Sequence, residues 1–425
     1  MQPAGRIDPQ DWMTQSATRE VLAALTADGQ KVRFVGGCVR DAAAGRPVKD
    51  IDIATPDRPE TVMALLERAG LKAVPTGLDH GTVTAVAKHH AIEVTTLRED
   101  VEPLGRHARV AFTDDWIADA ARRDLTMNAM FLDPDGTLYD PFDGLQDLKA
   151  GRVRFVGDPK ERIREDYLRL LRFYRFQAHY GRQPPDPEIV AVTGELAEHL
   201  ARLSGERIRS ELMRLLEAPQ PAETLAVMQR AGVLSVILPE AEGLGALAKL
   251  AEMEEEMAVP DCLRRLSALL PLDTRAAEAV ADRLRLSNGE TRRLLRLANP
   301  PEPLSAGVAA DLGDRDLHHA VQRHGHDQAR DYLLLAEARS TRDNRMLLAR
   351  QLAEIASWQP QHFPLSGRDA LELGLKPGPR IGRLLREVQS WWEDQDFGPD
   401  RDACRRELKR RIEAEEAEEG EDVSP

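Results

Sequence analysis

Between residues 32 and 139 the apolar positions come in short blocks or alternate with polar ones, the period of half-buried strands. Blocks at 32–35, 51–54, 82–88, 92–97 and 130–132 read as strands, and Asp135-Gly136 reads as a hairpin turn into a last strand at 137–139. Helix-like stretches at 39–44 and 60–69 interrupt them, and a lead-in helix within residues 1–30 carries Val21, Leu22 and Leu25 on one face. Beyond Val156 the period changes. Tyr167, Leu170, Leu171 and Tyr174 recur at three and four residues, and the segment 206–216 does the same. Gly181-Arg182-Gln183-Pro184-Pro185 separates two helices, and Pro300-Pro301-Glu302-Pro303 marks a linker or sharp bend. Pro360, Pro364, Pro377 and Pro379 break the helical remainder. The pattern predicts an α+β chain, a small mixed-sheet head (residues 1–150) followed by an all-α neck (151–217), body (218–299) and tail (300–412). The acidic end, 413–425, is expected to be disordered.

Composition narrows the class. The chain has 425 residues and a net charge of −14, which taken globally argues against nucleic-acid binding. The charge is unevenly spread. Acid gathers at Glu254-Glu255-Glu256 and after Glu413, while arginines cluster at 162–182 and 202–214, so a local basic stripe can still hold phosphates. Cys38, Cys262 and Cys404 form no C-x-x-C pair, which argues against a zinc site and for a reducing compartment. No signal-like apolar core and no run of 18 apolar residues is present, so the expectation is a cytoplasmic protein with no membrane span.

Candidate chemistry starts at Asp50-Ile51-Asp52. On a strand the two carboxylates share a face while Ile51 and Ile53 turn inward, and clustered carboxylate oxygens suit a hard cation such as Mg²⁺. Upstream, Gly36-Gly37 follows an apolar block and opens a helix, a turn that lets backbone N–H groups approach phosphate. Together these features describe a holder for a metal-bound triphosphate and point to nucleotidyl transfer. Glu93 is a candidate third carboxylate, with Thr95 and Leu97 expected on its face of the strand. Arg122 and Arg123 are candidate neutralisers of triphosphate oxygens, and Asn128 would hold a sugar or a loop. Asp140 reads as structural.

Asp166, Arg169 and Arg172 lie three residues apart on an expected helix. In a cleft an Asp/Arg pair can read bases. The carboxylate accepts from an exocyclic amine and the guanidinium donates to a ring nitrogen or carbonyl. Cytosine and adenine offer an amine beside an acceptor, and uracil and guanine offer the reverse, so one such pair accepts C and A. His326-Asp327 and His89-His90 lack the companions a metal site needs and read as surface pairs.

Through these residues the stretch 32–216 resembles the class II CCA-adding enzymes of the combined CCA transferase and bacterial poly(A) polymerase family. The resemblance implies a nucleotidyltransferase head that adds C, C and A to tRNA 3′ ends from CTP and ATP. It implies that Asp50 and Asp52 hold two Mg²⁺ ions and that Gly36, Gly37 and Arg40 contact the triphosphate. Arg123, with Arg122 beside it, would contact nucleotide. Asp166 and Arg169 would template the incoming base with help from Arg172, and Glu206 and Arg207 would brace the templating helix. Residues 99–110, including Gly105 and Arg106, resemble the flexible loop with which complete CCA enzymes switch from C to A. Lys376 and Arg380, beside a Pro-started helix, are candidates for gripping tRNA phosphate. Two rivals stay open at this point, a poly(A) polymerase and a non-catalytic tRNA-binding protein on the same scaffold. The oligomeric state is not legible in the sequence.

Overall fold

An eight-stranded sheet organises the N-terminal part of the chain, with strand order β1-β10-β9-β2-β3-β6-β5-β4. Its strands are β1 (Gly5–Arg6), β2 (Arg33–Val35), β3 (Ile51–Thr55), β4 (Lys72–Gly77), β5 (Thr82–Ala87), β6 (His90–Thr96), β9 (Phe131–Leu132) and β10 (Thr137–Tyr139). A separate antiparallel pair, β7 (Arg98–Glu102) and β8 (Arg109–Phe112), lies between β6 and β9 in sequence. The structure, a computed structural model, describes residues 1–28, 31–102, 109–257, 259–304 and 312–421. Gly105 and Arg106 of the expected switching loop lie outside the described residues, although the segments flanking them pair as β7 and β8.

The sheet is mixed because β3 and β6 run parallel while their other neighbours are antiparallel. Phe34, Ile53, Val83, Ile92, Val94 and Phe131 are fully buried in it. The two strands that periodicity did not reveal, β1 and β4, are its edges. An edge strand has little surface to bury, so its sequence carries no apolar alternation, and the edge position also tolerates Pro75 in β4. Leu97 departs from expectation. Glu93 and Thr95 do lie on the more exposed face of β6, but Leu97 is past the strand end and fully buried with Val35, Ala54 and Phe131.

After the sheet the chain is helical, and it divides into two compact units, Met1–Ala298 and Asn299–Pro425. In the first, the helix Leu168–Tyr180 packs Leu170, Phe173 and Tyr174 against its neighbours, among them the helix Gly205–Leu216. The Tyr174 hydroxyl shares a 2.7 Å hydrogen bond with Thr193. Glu254, the first residue of the Glu254-Glu255-Glu256 run, is fully buried. It accepts from Arg264 Nε at 2.8 Å and Arg265 Nε at 2.6 Å, while Arg265 Nη1 donates to the Leu216 and Ala218 carbonyls at 2.5 and 2.6 Å. The buried charge survives because every partner is present. This network ties the helices Leu244–Met257 and Cys262–Leu269 to the end of Gly205–Leu216.

The second unit has its own core of Leu365, Leu384, Val388, Trp392, Cys404 and Leu408. Trp392 is buried there and its indole N–H donates to the Pro399 carbonyl at 3.0 Å, so it packs rather than offering a stacking surface. The helix Arg401–Glu421 enters the acidic end, and Leu408 and Ile412 bury one side of it while Glu415 pairs with Arg380 at 3.0 Å and with Arg383. Residues 422–425 lie outside the described chain. Among the described residues no helix is long and apolar enough to cross a membrane, and all three cysteines are free thiols.

Candidate active site

The centre of the site is the parallel pair β3 and β6, whose register sets Asp52 directly beside Glu93. Asp50 stands just before β3, exposed, and Asp52 is partly buried on the strand. Burial, then the nearby charge of Glu93, and to a lesser degree Asp50, push the Asp52 carboxyl up to about 6, with Arg123 and Arg40 pulling the other way. No hydrogen-bond donor among the described residues reaches the Asp52 side chain. No three His, Cys, Asp or Glu side chains among them converge as a ready-made metal cage. Asp50, Asp52 and Glu93 are therefore carboxylate neighbours with unmet charge, which fits a hard divalent cation that completes its shell with substrate oxygens.

Gly36 joins β2 to the helix Gly37–Ala43 with φ of +73°, a conformation that side chains disfavour. A Cβ there would sit 3.6 Å from Arg123 Nη1 and 3.7 Å from Asp52 Oδ2, in the space between cation and carboxylate. Those are ordinary contact distances, so it is the positive φ that favours glycine here.

The arginines of the site are held by carboxylates. Asp119, on the helix Trp116–Ala121 and almost completely buried, accepts from both Arg122 and Arg123 at 2.8 Å. Burial alone would raise the Asp119 carboxyl, but Arg123 and Arg122 outweigh it and hold it below the usual range. Burial in turn lowers the Arg122 guanidinium to about 10. Arg40 forks onto Asp41 at 3.0 and 2.9 Å and donates to Asn128 Oδ1 at 2.8 Å. Asn128 donates onward to Asp124 at 3.1 Å, and Asp124 accepts from Arg172 Nε at 2.6 Å. Although burial opposes it, Arg172 and Asn128 keep the Asp124 carboxyl well below the usual range. Asn128 is thus a link between Arg40 and Arg172 and not a free sugar-binding group. Asp140 accepts from the Gly144 and Leu145 amides, both at 2.8 Å, as a structural cap.

The expected base reader differs in one respect. Asp166 is not on a helix. It follows the helix Pro159–Glu165 with φ −151° and ψ 110°, and the next helix starts at Leu168. Its carboxylate makes the break, accepting from the Leu168 amide at 3.1 Å and from Arg207 Nη2 at 2.7 Å. Arg169 does not pair with Asp166. It pairs with Glu165 and donates to the Arg122 carbonyl at 3.2 Å, which joins the helical segment to the arginine pair of the head. A cavity of about 380 Å³ opens beside Asp166, with Tyr167, Arg202, Ser204 and Arg207 in its wall. Arg207 braces this turn through a direct ion pair, and the Glu206 carboxyl beside it is lowered by local hydrogen bonds to its own backbone and to Ser204.

Lys376 and Arg380 belong to the second unit. Lys376 is exposed, whereas Arg380 is half-buried against Glu415, so a phosphate there would have to compete with a carboxylate. His326 Nε2 donates to the Trp358 carbonyl at 2.9 Å and Asp327 pairs with Arg330, as expected of a surface pair. Sequence reasoning missed Asp119, Asp124 and Glu165. Helical spacing from Arg122, Arg123 and Arg169 would have found Asp119 and Glu165; Asp124 pairs across 48 residues and had no local signal.

A carboxylate pair on parallel strands, a glycine turn beside it and a row of fixed arginines define a nucleotidyltransferase head followed by helical domains. The family model described as "Poly A polymerase head domain" matches residues 32–154, and one described as "Probable RNA and SrmB- binding site of polymerase A" matches 185–244. The chain is 35% identical over 386 residues to "CCA tRNA nucleotidyltransferase 1, mitochondrial" of Danio rerio, spanning 88% of this chain and 85% of that one. It is 34% identical over 404 residues to the Homo sapiens protein of the same name, spanning 91% and 89%. Among solved structures, the Bacillus stearothermophilus CCA-adding enzyme in complex with CTP superimposes with a TM-score of 0.73 at 26% identity, covering 95% of this chain and all of that one. The chain belongs to the CCA tRNA nucleotidyltransferase family.

Proposed function

We propose that this chain adds C, C and A in turn to the 3′ end of tRNA without a nucleic-acid template, using CTP and ATP and releasing pyrophosphate. One observation carries the reading. The Asp166 turn and Arg169, whose side chains suit the amine-and-acceptor edge shared by cytosine and adenine, are tied through the Arg122 carbonyl to the arginine pair next to Asp52. Asp166 uses two of its acceptor positions on Leu168 and Arg207 and keeps others for an exocyclic amine. Arg169 likewise keeps donors for a ring nitrogen or carbonyl. Uracil or guanine would set carbonyl against carboxylate and leave the buried groups unpaired, the kind of mismatch that discriminates most strongly.

Asp50 and Asp52, with Glu93 alongside, are the residues that would hold divalent ions, for which we propose Mg²⁺. Such ions, when bound, make the 3′-hydroxyl a better nucleophile and neutralise charge on the triphosphate. Arg123, fixed by Asp119, sets a permanent positive charge beside the carboxylates where phosphate oxygens would lie. Arg40 and Arg172 share one hydrogen-bonded chain through Asn128 and Asp124, so the phosphate side and the base side are held in one register. The reading keeps head, neck and body as subdivisions of the first unit, the tail as the second, Lys376 as a tRNA phosphate contact, and the cytoplasm as the compartment.

The deciding experiment gives the protein a tRNA that ends before CCA. With CTP alone, two C residues should be added and addition should stop; with CTP and ATP, one A should follow. Repeated addition of A with no use of CTP would establish a poly(A) polymerase instead.

A further inference from the structure

A second cavity of the first unit, with a volume of about 810 Å³, is lined by none of the carboxylates Asp50, Asp52 and Glu93. It opens between the chain after the helix Gly37–Ala43, the end of the helix Leu168–Tyr180 and the helix Pro221–Arg230. Arg46, Lys149, Arg182 and Arg230 line it, and Glu223 is the single acid in its wall. All four basic side chains are exposed, and none has a carboxylate within ion-pair distance among the described residues. By contrast, Arg40, Arg122, Arg123, Arg169 and Arg172 of the candidate active site each have a carboxylate partner. The wall is partly aromatic. The Arg46 guanidinium lies 4.1 Å over the Tyr180 ring and donates to the His179 carbonyl at 2.5 Å, which fixes one cation at the rim.

Several of these cations sit near helix C-termini, where a positive charge offsets the helix dipole by about 0.3–1 kcal/mol. That role needs one cation per helix end and no shared concavity. Four cations without carboxylate partners around one nucleotide-sized hollow describe a receptor for a polyanion. Phosphate is the anion that several arginines and a lysine hold well together, Arg through its fork and Lys as a point charge.

We propose that this cavity is a second phosphate-binding site, distinct from the triphosphate cradle at Gly36 and Asp52. Its ligand carries at least two phosphate charges, supplied either free, as pyrophosphate or a nucleotide, or by two adjacent phosphates of an RNA backbone. The inference does not depend on the base-reading role of Asp166.

The test uses the full chain with Lys149→Glu and Arg230→Glu, two residues whose side chains make no hydrogen bond among the described residues and lie outside the machinery above. Calorimetric titration with inorganic pyrophosphate should give two binding equivalents for the wild type and one for the double variant if the ligand is free phosphate. Titration with a tRNA ending before CCA, repeated across salt concentrations, should lose about two from the slope of log affinity against log salt if the ligand is backbone phosphate. Either change supports the site and names its source. Unchanged stoichiometry together with an unchanged salt slope overturns it. Arg46→Ala with Arg182→Ala repeats the test without reversed charge should the first variant fail to fold.

Discussion

Asp52 is held in the fold at a cost, and replacing it should therefore stabilise the protein when no divalent ion is present. Burial and the charge of Glu93 raise its carboxyl from the usual 3.8 to about 6. At about 1.4 kcal/mol per pH unit, the difference is worth about 3 kcal/mol once both folded and unfolded forms are ionised. The sign follows from proton linkage. Between the two values the folded chain binds more protons than the unfolded one, so stability falls as pH rises through this window and stays low above it. Asp52→Asn removes the ionisation and should gain about 1 kcal/mol at pH 4.5 and about 3 kcal/mol at pH 7.5 by the same linkage. Thermal melts in EDTA at both pH values measure this, with the midpoint expected to rise by several degrees at pH 7.5. Millimolar Mg²⁺ should then stabilise the wild type and leave Asp52→Asn almost unmoved. Equal midpoints for variant and wild type in EDTA at pH 7.5, or a gain of the same size at both pH values, would refute the electrostatic account of this carboxylate.

Further outcomes follow from other contacts. Arg207→Ala releases Asp166 from its brace, so kcat/KM for CTP and ATP should drop by about tenfold or more and UTP misincorporation should rise, with partial recovery in Arg207→Lys; unchanged nucleotide selectivity would dismiss the brace. Tyr180 donates to Asp41, the carboxylate that forks Arg40, at 2.5 Å. Tyr180→Phe should raise the KM for nucleotide by about the worth of one charge-assisted hydrogen bond, roughly tenfold, while tRNA affinity is retained. Glu254→Ala strands two buried guanidinium groups and should lower stability by about 3–5 kcal/mol, read as the shift of the urea midpoint. Glu254→Ala melting like the wild type would mean that water reaches the triad.

Much of this protein was readable before any coordinates. Alternation located the central strands β2, β3, β5, β6, β9 and β10 because each buries a continuous apolar face, and a period of three to four located the helices for the same reason. Asp50, Asp52 and the Gly36-Gly37 turn were legible because a strand and a short loop carry their chemistry in local spacing. What the fold alone decided is long-range. The pairing of Asp52 with Glu93 depends on a parallel register across 41 residues. Asp119 and Asp124 are buried only because tertiary packing closes over them, and it is their burial that makes them fixed anchors for Arg122, Arg123 and Arg172. The break at Asp166 ran against local expectation, since the segment reads as one helix until Arg207, 41 residues away, is brought to meet the carboxylate. Local sequence sets which surfaces must be hidden and which groups are available for chemistry. Which distant charges meet is settled by the packing that hides those surfaces, because an ion pair acts over a few ångströms while Arg172 and Asp124 are 48 residues apart and Arg207 and Asp166 are 41 apart along the chain.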